Sequence, residues 1–84
     1  MINRMELSEL YGERVVRVPG VLGGKPTVKG TRISVDLVVT CFAGGMSIDE
    51  VLIDYPHLTR DDVRACLAYA ADALRGQVPV GSAA

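Results

Sequence analysis

From residue 35 onward the apolar positions follow a helical period; before it they do not. Ile48, Val51, Leu52 and Tyr55 fall at i, i+3, i+4 and i+7, one face of a helix. Val63, Cys66, Leu67, Ala70 and Leu74 repeat that stripe over a longer stretch. In 35–43 the apolar residues Val35, Leu37, Val38, Val39, Cys41 and Phe42 go nearly all the way round, which predicts a helix buried on every side. The punctuation agrees. Ser34 suits an N-cap, Asp36 suits the positive end of a helix, and Gly44-Gly45 supply a stop. Ser47-x-x-Glu50 is a capping box, in which each side chain satisfies a free backbone N–H of the other residue. Pro56 ends that helix, because the residue before a proline avoids the α region. Thr59 and Asp62 repeat the box, and Gly76 stops the last helix. The predicted helices are therefore about 35–43, 48–55 and 60–75.

The first third of the chain reads differently. Arg14 to Val18 is rich in β-branched residues, as strands are. Pro19-Gly20 and Gly23-Gly24 then interrupt, and Lys25 to Ser34 is strand-like again around Lys29-Gly30. Gly30 is expected at a turn or bulge that other residues resist. Residues 14–34 are read as a short N-terminal β-arm or hairpin, with 1–13 as a lead-in that includes a possible short helix, Met5 to Tyr11. Residues 77–84 are small, polar and proline-interrupted, and are read as a flexible tail. The fold class is mainly α, a three-helix core behind a β-arm, in a single domain over 14–76.

A chain of 84 residues hides only roughly 60% of its unfolded surface, which gives it a reason to pair. With no Trp, one Phe and three Tyr, the core must be mostly aliphatic. Leu37 and Cys41 lie opposite Val35, Val38 and Phe42, and one small core cannot cover both sides. A homodimer interface at Leu37 and Cys41 is expected. Cys41 and Cys66 have no CxxC spacing and no histidine close in sequence, so they read as reduced, buried thiols. No basic-then-apolar leader opens the chain, and the apolar run from Leu37 to Met46 is about half of what a membrane span needs. A cytoplasmic protein without membrane contact is expected.

Charge changes the picture more than composition does. The net charge is −1, yet Arg14 to Arg32 holds five bases and no acid, whereas Val35 to Asp72 holds seven acids against Arg60 and Arg64. A basic segment of this kind points to an anionic partner, or to pairing with the acidic helices of its own fold. The two capped helices joined by Pro56-His57-Leu58-Thr59 read as a helix-turn-helix or as a structural helical hairpin. In the first case Arg60 and Arg64, at the start of the second helix, face the bases. Lys25, Lys29 and Arg32 on the arm would then hold phosphates. Asp61 and Asp62 beside those arginines repel phosphate and argue the other way. Nothing supports an enzyme. His57 is the only histidine, Gly23-Gly24-Lys25 lacks phosphate-loop spacing, and the paired acids sit in first helical turns where they stabilise the helix dipole. No cofactor and no metal is expected.

Several ordered motifs carry a family resemblance. Gly23-Gly24-Lys25-Pro26-Thr27-Val28-Lys29-Gly30-Thr31-Arg32-Ile33, Gly45-Met46-Ser47, Tyr55-Pro56-His57-Leu58-Thr59, Asp62-Val63 and Ala68-Tyr69-Ala70 together resemble the domain-of-unknown-function family number 433. The resemblance runs from about Val21 to Leu74. It implies a homeodomain-like helix-turn-helix core behind a small β-arm. It also implies an antitoxin of a type II toxin–antitoxin pair, an autorepressor that binds operator DNA and neutralises a PIN-like nuclease. Arg32 is the residue expected to enter the carboxylates of such a toxin. The alternative is a dimeric protein-interaction module without significant DNA binding.

Overall fold

Three helices of the protein begin at a side chain that caps them. In the computed structural model, which describes residues 4–76, Ser34 Oγ accepts from the Leu37 amide and opens α2, Val35–Ala43. Ser47 and Glu50 close a full capping box on α3, Ile48–Asp54, and Thr59 and Asp62 close another on α4, Arg60–Leu74. The end of α2 is equally local. The Gly45 amide donates to Phe42 and the Met46 amide to Cys41, with Gly45 at φ 97°, the left-handed stop of a Schellman motif. These bounds agree with the predicted ones to within one residue. The expected tail over 77–84 lies outside the described residues.

The arm is a small antiparallel hairpin. Strand β1, Val15–Val16, pairs with β2, Thr27–Val28, in the register Val15 to Val28 and Val16 to Thr27. A further bridge joins Thr27 to Ser34, so the chain folds back at 28–33 and runs straight into α2. Between the strands the chain makes a 3-10 turn, Leu22–Gly24. There Leu22 is the only non-glycine at positive φ among the described residues, at 48°, a conformation that costs an L-residue about 1 kcal/mol.

The core is aliphatic, as the scarcity of aromatics requires. Val15, Val28, Val35, Val38, Val51 and Val63 are buried in it, with Ala65, Cys66 and Tyr69 from α4. Leu58, in the turn between α3 and α4, is buried as well and pins that turn to the core. Helix α2 buries Val35 and Val38 and leaves Val39, Cys41 and Phe42 half-buried against the same cluster. One difference from the sequence reading concerns the lead-in. Helix α1, Arg4–Tyr11, packs along α4 as part of the domain. Tyr11 donates to Asp72 Oδ2 at 3.0 Å and meets the Tyr69 ring edge-on at 5.1 Å. Asp72 is 61 residues away in sequence and Tyr69 nearly as far, beyond the reach of local periodicity.

Residues Val28 to Thr31 form a turn in which the Thr31 amide donates to the Val28 carbonyl at 3.0 Å. Gly30 occupies its third position at φ 80°, as a type II turn demands. A Cβ added there would meet nothing within 4 Å, so its cost is conformational alone. Gly30→Ala should therefore destabilise by about 1 kcal/mol, lowering the melting temperature by about 4–8 °C. Thermal unfolding followed by circular dichroism checks this. An unchanged melting temperature would contradict it.

Candidate functional site

The start of α4 carries two adjacent carboxylates, and both have structural work. Asp62 Oδ2 accepts the Thr59 amide at 3.0 Å, the return half of the capping box. Asp62 Oδ1 accepts from Arg14 Nη1 at 3.0 Å, and Asp61 lies 3.7 Å from the second Arg14 nitrogen. Arg14 stands just ahead of β1, so this contact ties the hairpin to the first turn of α4. The backbone of the same residue holds the basic turn: the Lys29 amide donates to the Arg14 carbonyl at 2.8 Å. One arginine thereby places the 28–33 turn beside the start of the second helix of the helix-turn-helix.

The five basic residues expected at a nucleic-acid interface divide on this frame. Lys29 and Arg32 sit on the 28–33 turn, exposed, with no ion-pair partner among the described residues. Thr31 between them is fixed internally, its hydroxyl donating to the Val28 carbonyl at 2.8 Å and accepting from the Ile33 amide at 3.0 Å. The turn is thus rigid at its centre and bears two free cations at its edges. Arg64 is exposed on α4 and likewise without an ion-pair partner among the described residues. Arg60, one turn earlier, is ion-paired to Asp49 of α3. Lys25 is elsewhere: it borders an apolar groove with Leu22, Asp36 and Leu74. Arg60 is thus engaged within the fold, Lys25 lies at the groove, and Lys29, Arg32 and Arg64 are exposed without an ion-pair partner among the described residues. Within the basic segment, Arg14 pairs with acids of its own fold.

Arg14 is the organising residue that the sequence reading did not single out. Its partner lies 48 positions away, and no spacing rule reaches that far. Leu37 and Cys41, expected at a dimer face, are half-buried in the single chain, and Cys41 packs against the core. The large apolar side chains left exposed are Val18, Leu22, Ile53, Leu67 and Leu74. Among the described residues no group of three or more His, Cys, Asp or Glu could hold a metal ion, and no helix is long and apolar enough to cross a membrane.

Comparison with known proteins places this geometry in a family. The model of the family described as "Protein of unknown function (DUF433)" matches residues 15–70, from β1 through most of α4. A crystal structure of a DUF433 member from Anabaena variabilis is similar at a TM-score of 0.72 and 27% identity, over 87% of this chain and 72% of that one. An uncharacterized protein of Sinorhizobium fredii, y4eO, is 39% identical over 66 residues. The match covers 77% of this chain, which spans only 30% of the length of that curated relative.

Cys66 in α4 and Tyr11 against it both shift upward. Burial, and secondarily the charge of Asp62, pushes the Cys66 thiol up to about 12 from its ordinary 9.0. Burial and then its hydrogen bond to Asp72 raise the Tyr11 hydroxyl. A thiol that ionises near 9 when unfolded and near 12 when folded leaves stability unchanged below pH 9. As pH rises from 9 toward 12, only the unfolded chain gains the anion, and stability falls. Denaturant unfolding across that range should show an alkaline loss that Cys66→Ala reduces. An alkaline profile identical in the variant would contradict the assignment.

Proposed function

We propose, given that the chain belongs to the DUF433 family, that it is an antitoxin of a type II toxin–antitoxin pair. In this reading it represses its own operon through its helix-turn-helix and neutralises a PIN-like nuclease. The observation that carries the DNA-binding half is the engagement of Asp61 and Asp62 by Arg14. Carboxylates at the start of a recognition helix repel phosphate, and here both face a guanidinium of the same chain. Lys29 and Arg32 on the turn and Arg64 on α4 are exposed bases with no ion-pair partner among the described residues. Such an arrangement suits phosphate contacts from the turn flanking base contacts from α4, as arms flank reading helices in homeodomain-like proteins. The toxin half rests on the family resemblance, with Arg32 as the exposed fork able to pair with metal-binding carboxylates.

A second reading, a dimeric interaction module without significant DNA affinity, is favoured by the exposed Leu22 and Leu74 on one face. Fluorescence anisotropy with the duplex upstream of the gene, over a salt series, separates the two. DNA binding by the turn predicts that Lys29→Ala/Arg32→Ala weakens binding and lowers the salt slope by about two units, one per lost phosphate contact. Arg64→Ala should cost about 1–3 kcal/mol of discrimination between duplexes. Salt-independent binding, or none, contradicts the first reading and leaves the second. Co-purification with the neighbouring nuclease tests the toxin half, and capture undiminished by Arg32→Ala would remove Arg32 from it.

A further inference from the structure

An apolar groove of about 750 Å³ lies along the last turns of α4. It runs between the Leu22–Gly24 turn, the start of α2 and the last turns of α4, over Pro26, Val35, Val39 and Ala70. Two exposed leucines stand on its border. Leu74 is 87% exposed, the most exposed large hydrophobic among the described residues. Leu22 is exposed as well, and the chain holds it there in the left-handed conformation that only glycine adopts without cost. Within the chain the turn is held by the Lys25 amide donating to the Leu22 carbonyl at 3.3 Å and by Arg17 Nε donating to the Gly24 carbonyl at 3.0 Å, yet the leucine it presents stays exposed, and backbone strain of this kind gathers at binding surfaces.

The charges at the groove indicate the occupant. Lys25 and Asp36 both border it, on either side of the hydrogen bond from the Val35 amide to the Pro26 carbonyl. They are of opposite sign, and neither has an ion-pair partner among the described residues. A face that bears a projecting leucine, a groove to receive one, a free cation and a free anion is complementary to itself. Under a two-fold axis, Lys25 of one copy meets Asp36 of the other and Leu74 enters the facing groove, each contact made twice. We propose that this face, bounded by Leu22, Lys25, Asp36 and Leu74, is the interface with a second copy of the chain. It goes beyond the antitoxin reading and stands without it. It also differs from an interface at Leu37 and Cys41, which belong to a part of α2 that does not border the groove.

Light scattering coupled to size exclusion, over a concentration series of the full chain, tests this. The wild type should run as a dimer that dissociates on dilution. Leu74→Glu should weaken the dimer by at least about tenfold while circular dichroism stays unchanged, because the side chain is exposed in the monomer. Lys25→Glu should weaken it as well, by opposing two acids, and Lys25→Glu/Asp36→Lys should restore it. The restoration keeps the test informative whatever Leu74→Glu does to folding. A wild type that stays monomeric at every concentration overturns the proposal. So does a dimer lost on Leu37→Glu but kept in Leu74→Glu, which would move the interface along α2. A monomer that dimerises only after residues 77–84 are removed overturns it too, by making that segment the occupant.

Discussion

Asp62 uses both carboxylate oxygens, one on the Thr59 amide and one on the Arg14 guanidinium. The first bond satisfies the Thr59 amide, which would otherwise be left unpaired at the start of α4, while the Thr59 hydroxyl caps the Asp62 amide in return. The second fixes the hairpin against that start. Everything on the basic side of the molecule hangs from this junction, since the Arg14 carbonyl in turn holds the Lys29 amide. An exposed ion pair contributes only about 0–1 kcal/mol. Its importance in this fold is placement: Asp62 is mostly shielded, already oriented by the capping box, and needs little further ordering to hold Arg14. The junction also accounts for the two acids at the start of α4. They hold the frame, and the partner that holds them is itself a base.

The two ends of α4 expose different groups. Near its start lie acids, Asp61 among them, and the cations of a turn held by Thr31 and Gly30. At its last turns Leu74 borders a groove. Helix α4 has 15 residues, so about 20 Å separates its ends. A domain this small has a valine-rich core and little surplus stability. Association at the apolar end would then supply stability as well as symmetry.

What the sequence makes legible is what is local. Ser47 with Glu50, Thr59 with Asp62, and Ser34 ahead of Asp36 act over three or four residues, and their helices begin where those residues stand. Gly30 is legible for the same reason: a glycine inside a β-branched run has few uses other than a positive φ. The contacts missing from the sequence reading are long-range. Arg14 reaches Asp62 and Tyr11 reaches Asp72 across most of the chain, so α1 reads as a lead-in and Arg14 as one base among five. Helix α2 does carry apolar residues nearly all the way round, and Leu37 and Cys41 are half-buried in the single chain. In α4 the helical stripe misleads: Leu67 and Leu74 belong to it by spacing, yet both are exposed, because the period fixes a face and not how far along the helix the core reaches.

The most direct measurement is duplex affinity in an Arg14 and Asp62 mutant cycle, with unfolding curves taken on the same proteins. Arg14→Ala releases two carboxylates toward the phosphates and should weaken binding. Adding Asp62→Asn keeps a side chain able to cap Thr59 but removes one of those charges, and should recover much of the lost affinity. Recovery would establish that Arg14 acts by neutralising the start of α4. A double variant that binds no better than Arg14→Ala would mean that Arg14 itself grips the phosphate, and that its pairing with Asp62 is not what opens this end of the molecule to DNA.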